Sequence, residues 1–321
     1  MRILFITSTR IGDAILSTGL LHHLIRQHPD ARVTVACGPA AASLFEAVPG
    51  LERLLVLDKM AGSFHWPWLW ASCLGRYWNV IVDLRNSPLY YLLPAGQRWK
   101  MGSSRGDNDH RVLKLARIMG LEDNPPSPHL WLADADRQKA EKLIPDGPPV
   151  LALGPTANWR AKSWRAEHFA SLIQVLTAPG GILPGARVAV FGRDDERPGV
   201  INLLESIPPE QRIDLVGRVD LPEAFACLRR SNFYVGNDSG LMHLAAASGI
   251  PTLGLFGPSL DELYAPWGER AGAVRTPQSF SEIFPENFDH RTSDSLMDGL
   301  TVDHVAVAAE NLWRRTAEAA Q

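Results

Sequence analysis

The feature that most constrains this chain is a succession of short, unbroken apolar runs, each followed by a stretch with helical spacing. In the first half the runs are ILFIT (3–7), VTVAC (33–37), RLLVL (53–57) and NVIVDL (79–84). In the second they are VLALG (150–154), RVAVFG (187–192), IDLVG (213–217), NFYVGND (232–238) and PTLGLFG (251–257). A strand with one wet face alternates apolar and polar residues, whereas a strand covered on both faces does not. Continuous runs therefore predict parallel sheets flanked by helices. DAILSTGLLHHLIRQH (13–28) shows the helical partner pattern, with Ile15, Leu16, Leu20, Leu21, Leu24 and Ile25 on one stripe. Further helices are expected near 40–47, 166–177, 199–206, 222–230, 240–248 and 302–318.

Between the two series lie a Pro-rich stretch, DNPPSPHLWL (123–132), a short charged helix and PDGPP (145–149). A chain of 321 residues is long enough for two domains with separate cores. The expectation is an α/β fold of two Rossmann-like domains facing each other across a cleft, over 1–148 and 149–301. A last helix, within 302–321, could join either.

The hydrophobic fraction of 45% and charged fraction of 21% are those of a globular protein. A net charge of −3 gives no general attraction for nucleic acid. Cys37, Cys73 and Cys227 are far apart and form no CxxC pair, which favours reduced thiols over a disulfide framework or a zinc site. The apolar run in MRILFITSTR is too short for a signal peptide, and no run approaches the roughly 18 residues of a membrane span. A cytoplasmic protein is expected, with work at a membrane surface left open.

Four motifs fall just beyond strands, at the edge where open α/β sheets bind ligands. Arg10-Ile11-Gly12-Asp13 opens the first helix. Gly12 permits close backbone approach, and Asp13 is either a carboxylate offered to a substrate or a complement to the helix dipole. GPTANWRAKSWRAEHFA (154–170) carries Arg160, Lys162 and Arg165, which suit a phosphate or form a solvated loop. In Phe191-Gly192-Arg193-Asp194-Asp195-Glu196 a carboxylate could accept ribose hydroxyls or simply start a helix. Finally GNDSGLMHLAAA (236–247) places Asp238, Ser239 and Gly240 where helix amides point outward. They are N-caps of a core helix or an anion site, and His243 one turn in faces a ligand or the core.

There is no GxGxxG at the first strand and no GxxxxGK[ST], so the dinucleotide and P-loop fingerprints are missing. Two DxD patterns, 107–109 and 134–136, follow no strand signal and read as solvent-facing, and the histidines show no metal-ligand spacing. No metal and no cofactor are expected. SFHWPWLWASCLGRYW (63–78) gathers Trp66, Trp68, Trp70 and Trp78 as an interfacial or acceptor-facing element, or as a loop packed under the sheet. Arg98, Lys100, Arg105, Arg111, Lys114 and Arg117 form a basic stretch that could meet an anionic lipid-linked acceptor or be solvated.

Taken together and in this order, the pieces resemble glycosyltransferase family 9, the ADP-heptose:lipopolysaccharide heptosyltransferases. The resemblance runs over most of the chain: the GD start at Gly12-Asp13, the K-x-W loop at 162–164, G-x-x-x-E at 192–196, and DSGLMHLAAASGIPTLGLFGPS (238–259). It implies the GT-B fold and inverting, metal-independent transfer of a heptose or related sugar. The implied donor is a nucleotide diphosphate sugar, ADP-heptose first, and the acceptor an anionic lipopolysaccharide core or lipid A precursor. It makes Asp13 the general base, Lys162 the diphosphate lysine and Glu196 the ribose carboxylate. Asp238, Ser239 and Gly240 become diphosphate and sugar contacts, and His243 the histidine of the same motif. The N-terminal domain would take the acceptor, with Arg10, Arg98, Lys100 and Arg105 as candidate contacts at the inner membrane's cytoplasmic face. The C-terminal domain would take the donor, and the last helix would pack back on the N-terminal domain. Gly19 stands where the family's first helix often carries Pro, and Asn158-Trp159-Arg160-Ala161 departs from the core heptosyltransferase loop. A nucleotide-sugar epimerase of similar architecture and a non-catalytic nucleotide-sugar-binding protein are the alternatives.

Overall fold

The computed structural model describes residues 1–58, 64–102, 108–286, 288–289 and 293–318; Arg105 and Asp107 lie outside the described residues. The chain divides into two units, Met1–Ala133 and Asp134–Gln321.

The first unit runs β1 (Arg2–Ile6), α1 (Ile11–Gln27), β2 (Arg32–Cys37), β3 (Leu51–Val56), α2 (His65–Cys73), β4 (Trp78–Asp83), α3 (Leu89–Leu92), β5 (Ala95–Lys100) and α4 (Arg111–Arg117). Its strands are all parallel, in the order β3-β2-β1-β4-β5. The central strands β1 and β4 are almost wholly buried, as their unbroken apolar sequences require. Helix α1 is buried along most of its length, and the Pro-rich segment runs across it. There His129 N donates to Thr18 Oγ1 at 2.9 Å. A Cβ on Gly19 would come within 2.2 Å of the Pro126 carbonyl oxygen, so this position has no room for any side chain.

The second unit runs α5 (Asp134–Leu143), β6 (Val150–Gly154), α6 (Ala166–Thr177), β7 (Arg187–Val190), α7 (Arg197–Ser206), β8 (Arg212–Asp214), α8 (Leu221–Leu228), β9 (Phe233–Asn237), α9 (Gly240–Ser248), β10 (Thr252–Phe256), α10 (Asp261–Tyr264), β11 (Ala271–Arg275) and α11 (Val302–Glu318). Its sheet is again all parallel, ordered β11-β10-β9-β6-β7-β8. Each unit thus repeats the Rossmann order, reversing direction between β1 and β4 and between β6 and β9. Ligands of such sheets bind beyond the carboxyl ends at that reversal.

Two helices at the ends of the second series fall in the second unit. The charged helix α5 belongs to the second unit, because it packs on α8 and Lys139 pairs with Glu223 at 2.7 Å. The last helix, α11, packs on α6, β10 and β11 of the same unit. Its stripe of Val305, Ala306, Ala309 and Leu312 is built into the core that holds Trp164, Phe169 and Phe233.

Candidate active site

At the reversal in the first sheet, β1 passes through Arg10, the exposed N-cap of α1, into Gly12 and Asp13 in the first helical turn. The Asp13 side chain is only 15% exposed, and its Oδ1 lies 3.3 Å from Nε of Arg111 at the start of α4. This is an ion pair without hydrogen-bond geometry, so Oδ1 keeps its accepting capacity. Arg111 appears in the sequence only as one of a basic run, and nothing there marks it as the partner of Asp13.

The neighbouring strand β4 ends in Asp83, which is fully buried. It accepts hydrogen bonds from Arg85 N (2.9 Å), Ser87 N (2.7 Å) and Ser87 Oγ (2.6 Å). Burial raises its pKa, and those hydrogen bonds pull the other way. Asp83 thereby holds a tight turn in which Asn86 adopts φ +52°. Arg85, its pKa lowered by burial, stacks 4.8 Å from the Trp66 ring centre. A carboxylate ending an apolar run was the available signal for Asp83.

The basic candidates of this unit separate. Arg98 donates to the carbonyls of Ala95 (3.0 Å) and Leu93 (2.7 Å), and so braces the turn before β5. Lys100 ends β5, donates to the Tyr91 hydroxyl and lies about 5 Å from the Tyr90 and Tyr91 rings.

At the reversal in the second sheet, β6 ends in Gly154, and the following loop closes in a 3₁₀ turn over Arg160–Lys162. The Lys162 ammonium pairs with Asp238 and sits 5.4 Å over the Trp159 ring; the two side chains are 15% and 9% exposed. Its neighbours in the cation-rich loop turn elsewhere: Arg160 pairs with Asp294 at 2.9 Å, and Arg165 with Asp298 at 2.5 Å. The loop is tied to the sheet by buried Asn237, whose Oδ1 accepts from Trp164 N (3.0 Å) and whose Nδ2 donates to Pro155 O (2.7 Å).

Glu196 closes the loop after β7. Its Oε2 accepts from Arg193 N (2.8 Å) and from Thr156 Oγ1 (3.0 Å), the latter on the loop after β6. The capping role is therefore real, and the same carboxylate is aimed at the edge between β6 and β7.

In GNDSGLMHLAAA, Ser239 is the N-cap of α9 with extended backbone, but its side chain makes no capping hydrogen bond. The start of the helix is the positive end of its dipole, a setting that suits an anion. Beneath it lies Tyr234, fully buried, with a phenol that faces Ser239. Burial pushes that phenol well above its ordinary pKa, and neither hydroxyl makes a hydrogen bond of ordinary geometry. The phenol fills the space where Cβ atoms on Gly154 and Gly236 would sit, at 2.0 and 2.3 Å from its oxygen. His243 is buried on the inner face of α9.

The structure brings Lys162, Asp238 and the start of α9 together, sets Glu196 against Thr156, and places Asp13 against Arg111. Asp109 of the first DxD pattern pairs with Arg117, and Asp134 of the second with Arg137 at 3.5 Å. Among the described residues no three His, Cys, Asp or Glu side chains are grouped as metal ligands. Cys37, Cys73 and Cys227 are free and buried, with pKa values pushed up to about 12, 11 and 12 by desolvation.

Two all-parallel sheets of Rossmann order, one in each unit, are the architecture of the GT-B class. The sequence profile of "Glycosyltransferase family 9 (heptosyltransferase)" matches residues 109–285, and the chain belongs to that family. It is similar to lipooligosaccharide heptosyltransferase 2 of Haemophilus influenzae, at 26% identity over 86% of this chain and 88% of that one. It is also similar to lipopolysaccharide heptosyltransferase 3 of Escherichia coli, at 29% identity over 80% and 83%. The solved ADP-heptose LPS heptosyltransferase II of E. coli shares the fold, with a TM-score of 0.73, 21% identity and coverage of 99% and 100%. A family 9 glycosyl transferase from Veillonella parvula does so with a TM-score of 0.77, 19% identity and 97% coverage of each chain.

Proposed function

We propose that this glycosyltransferase moves a heptose from ADP-heptose to a lipopolysaccharide core or lipid A precursor, with inversion and without a metal ion. The observation that carries the donor side is Lys162, held by Asp238 beside the uncapped start of α9. The diphosphate leaving group develops charge as the glycosidic bond breaks, and an ammonium with helix amides stabilises it without a metal. Glu196, beside Thr156, accepts the ribose hydroxyls. On the acceptor side the hydroxyl is a weak nucleophile at neutral pH, and Asp13 takes its proton as it attacks C1. Attack opposite the leaving group inverts the anomeric centre. Arg111 orients the Asp13 carboxylate. The names of the relatives support heptose and lipopolysaccharide as the substrate classes.

The test is transfer from ADP-, GDP- and UDP-sugars to a deacylated lipopolysaccharide acceptor, with and without EDTA. Preference for ADP-heptose and insensitivity to EDTA are expected; loss of turnover in EDTA would overturn the metal-free step. Asp13→Asn should lower turnover by about 10²- to 10⁴-fold while ADP still binds. Turnover at the wild-type rate would remove Asp13 as the base.

A further inference from the structure

Lys162 has two partners that differ in kind. Asp238 accepts a hydrogen bond from its ammonium, and the ring of Trp159 lies under the same nitrogen, 5.4 Å from the ring centre. An ammonium carries three donors and no acceptor, and a carboxylate oxygen occupies one of them. The face of an indole attracts the charge through its quadrupole and occupies none. Asp238 also competes with an arriving anion for the cation, since both are negative, whereas the indole does not. Trp159 therefore holds the ammonium in place and leaves its other donors to a ligand.

The ring is itself fixed by a row of aromatic side chains. Trp159 meets Phe288 edge-on at 5.6 Å, Phe288 meets Phe284 at 4.8 Å, and Phe284 meets Phe280 at 5.1 Å. Edge-to-face pairs at such spacings are a favoured arrangement of aromatic rings. The three phenylalanines come from the segment between β11 and α11, and further along the same segment is laced to the Lys162 loop. Leu296 N donates to Ala161 O at 3.0 Å, and Ser295 Oγ donates to Ser163 O at 2.7 Å. These bonds fall on the residues either side of Lys162. The pairs Arg160–Asp294 and Arg165–Asp298 belong to the same clasp. It engages the loop's two arginines and leaves the lysine to the indole and Asp238.

We propose that Trp159 is a positioning residue of the donor site: its ring face holds the Lys162 ammonium for the diphosphate while leaving N–H donors free to bind it. This rests on the reading above that Lys162 meets a diphosphate, and adds a residue that acts through the lysine.

Calorimetric titration of the full chain with ADP and with inorganic pyrophosphate tests it. Trp159→Leu should weaken both ligands by roughly 3- to 30-fold. Trp159→Phe, which keeps an aromatic face, should recover part of the loss. Fluorinated tryptophans placed at position 159 withdraw charge from the ring face with little change in size. Affinity should then fall stepwise from mono- to di- to trifluorotryptophan, a response that packing alone does not give. In a Lys162→Met background, Trp159→Leu should change affinity by less than about twofold. Urea melts should show each variant folded. Equal affinity in wild type and Trp159→Leu would overturn the proposal, as would a flat fluorine series or an undiminished Trp159→Leu effect without Lys162. Wild type that binds pyrophosphate but not ADP would overturn the nucleotide reading alone, and the pyrophosphate series would still decide the role of Trp159. Binding of neither ligand by wild type would overturn both.

Discussion

Asn237 ties the loop that carries Lys162 to the second sheet, and its removal has a calculable cost. In Asn237→Ala, Trp164 N and Pro155 O lose their partners at 3.0 and 2.7 Å. Trp164 and Pro155 are both buried, so water does not replace the amide. A buried polar group left without a partner costs about 1–3 kcal/mol, so the pair should cost roughly 2–6 kcal/mol. For a unit of this size that lowers the melting temperature by roughly 4 to 24 °C. Asn237→Asp separates the two bonds. The carboxylate still accepts from Trp164 N, but it has no proton for Pro155 O and sets two oxygens against each other, so it should be at least as damaging at neutral pH. Urea unfolding followed by tryptophan fluorescence gives the stabilities, and titration with ADP gives the site. ADP affinity should fall in both variants, because the loop that positions Lys162 loses its anchor. A change below about 0.5 kcal/mol in Asn237→Ala, with ADP affinity intact, would refute the argument that these two bonds hold the loop.

Two further outcomes follow from buried groups near the two edges. Tyr234→Phe removes a buried hydroxyl that has no ordinary hydrogen bond, so stability in urea should be unchanged or rise by up to about 1 kcal/mol. A loss larger than that would mean the phenol bonds Ser239 in solution. For Asp83 the folded pKa lies above the ordinary 3.8, so the folded chain binds its proton more tightly than the unfolded chain. That contribution is complete below 3.8 and disappears as pH rises through the raised value. Asp83→Asn has no proton to bind, so the stability advantage of wild type over variant should shrink as pH climbs from the ordinary value. Paired urea melts at several pH values measure this, and an advantage that grows with pH would contradict the burial cost.

The central parts of the fold were legible because burial on both faces leaves an imprint in sequence. The runs at 3–7, 79–84, 150–154 and 232–238 became β1, β4, β6 and β9, and β6 covers the five residues that were read. Of the four edge strands, β3 and β8 overlap the apolar runs at 53–57 and 213–217, whereas β5 and β11 were not legible. Residues AGQRWK of β5 and AGAVR of β11 are half exposed, carry little apolar character and gain their strand form from the neighbour they pair with. Helix ownership was hidden for a similar reason: the stripe on α11 shows that a face is buried, and not against which core. At the proposed site, the sequence singles out Asp13, Lys162, Glu196 and 238–240 because each follows a strand, and the structure pairs Lys162 with Asp238. It did not show Arg111 beside Asp13, which is a contact between residues far apart in sequence. It also could not separate Lys162 from Arg160 and Arg165, because all three share one loop and only their partners distinguish them.

The distribution of acids in the first unit also weighs between the transferase and an epimerase of similar architecture. Moving a proton off and back onto a sugar ring calls for acid and base groups on more than one side, whereas transfer to a hydroxyl calls for one base. Two carboxylates stand at the carboxyl ends of β1 and β4. Asp83 is fully buried and accepts three hydrogen bonds from its own turn, so it shapes the backbone and has little capacity for a substrate proton. Asp13 meets a guanidinium without a hydrogen bond, and its Oδ1 retains the capacity to accept one. At the edge of the second sheet, Asp238 is paired with Lys162, and Glu196 is held by Arg193 and Thr156. Among the described residues, the edge of the first sheet offers one carboxylate with capacity to accept a hydrogen bond, and the edge of the second, taken by itself, offers a cation and a helix start. One accepting carboxylate suits the proposed single displacement at an anomeric carbon better than an epimerisation, on chemical grounds that owe nothing to the relatives' names.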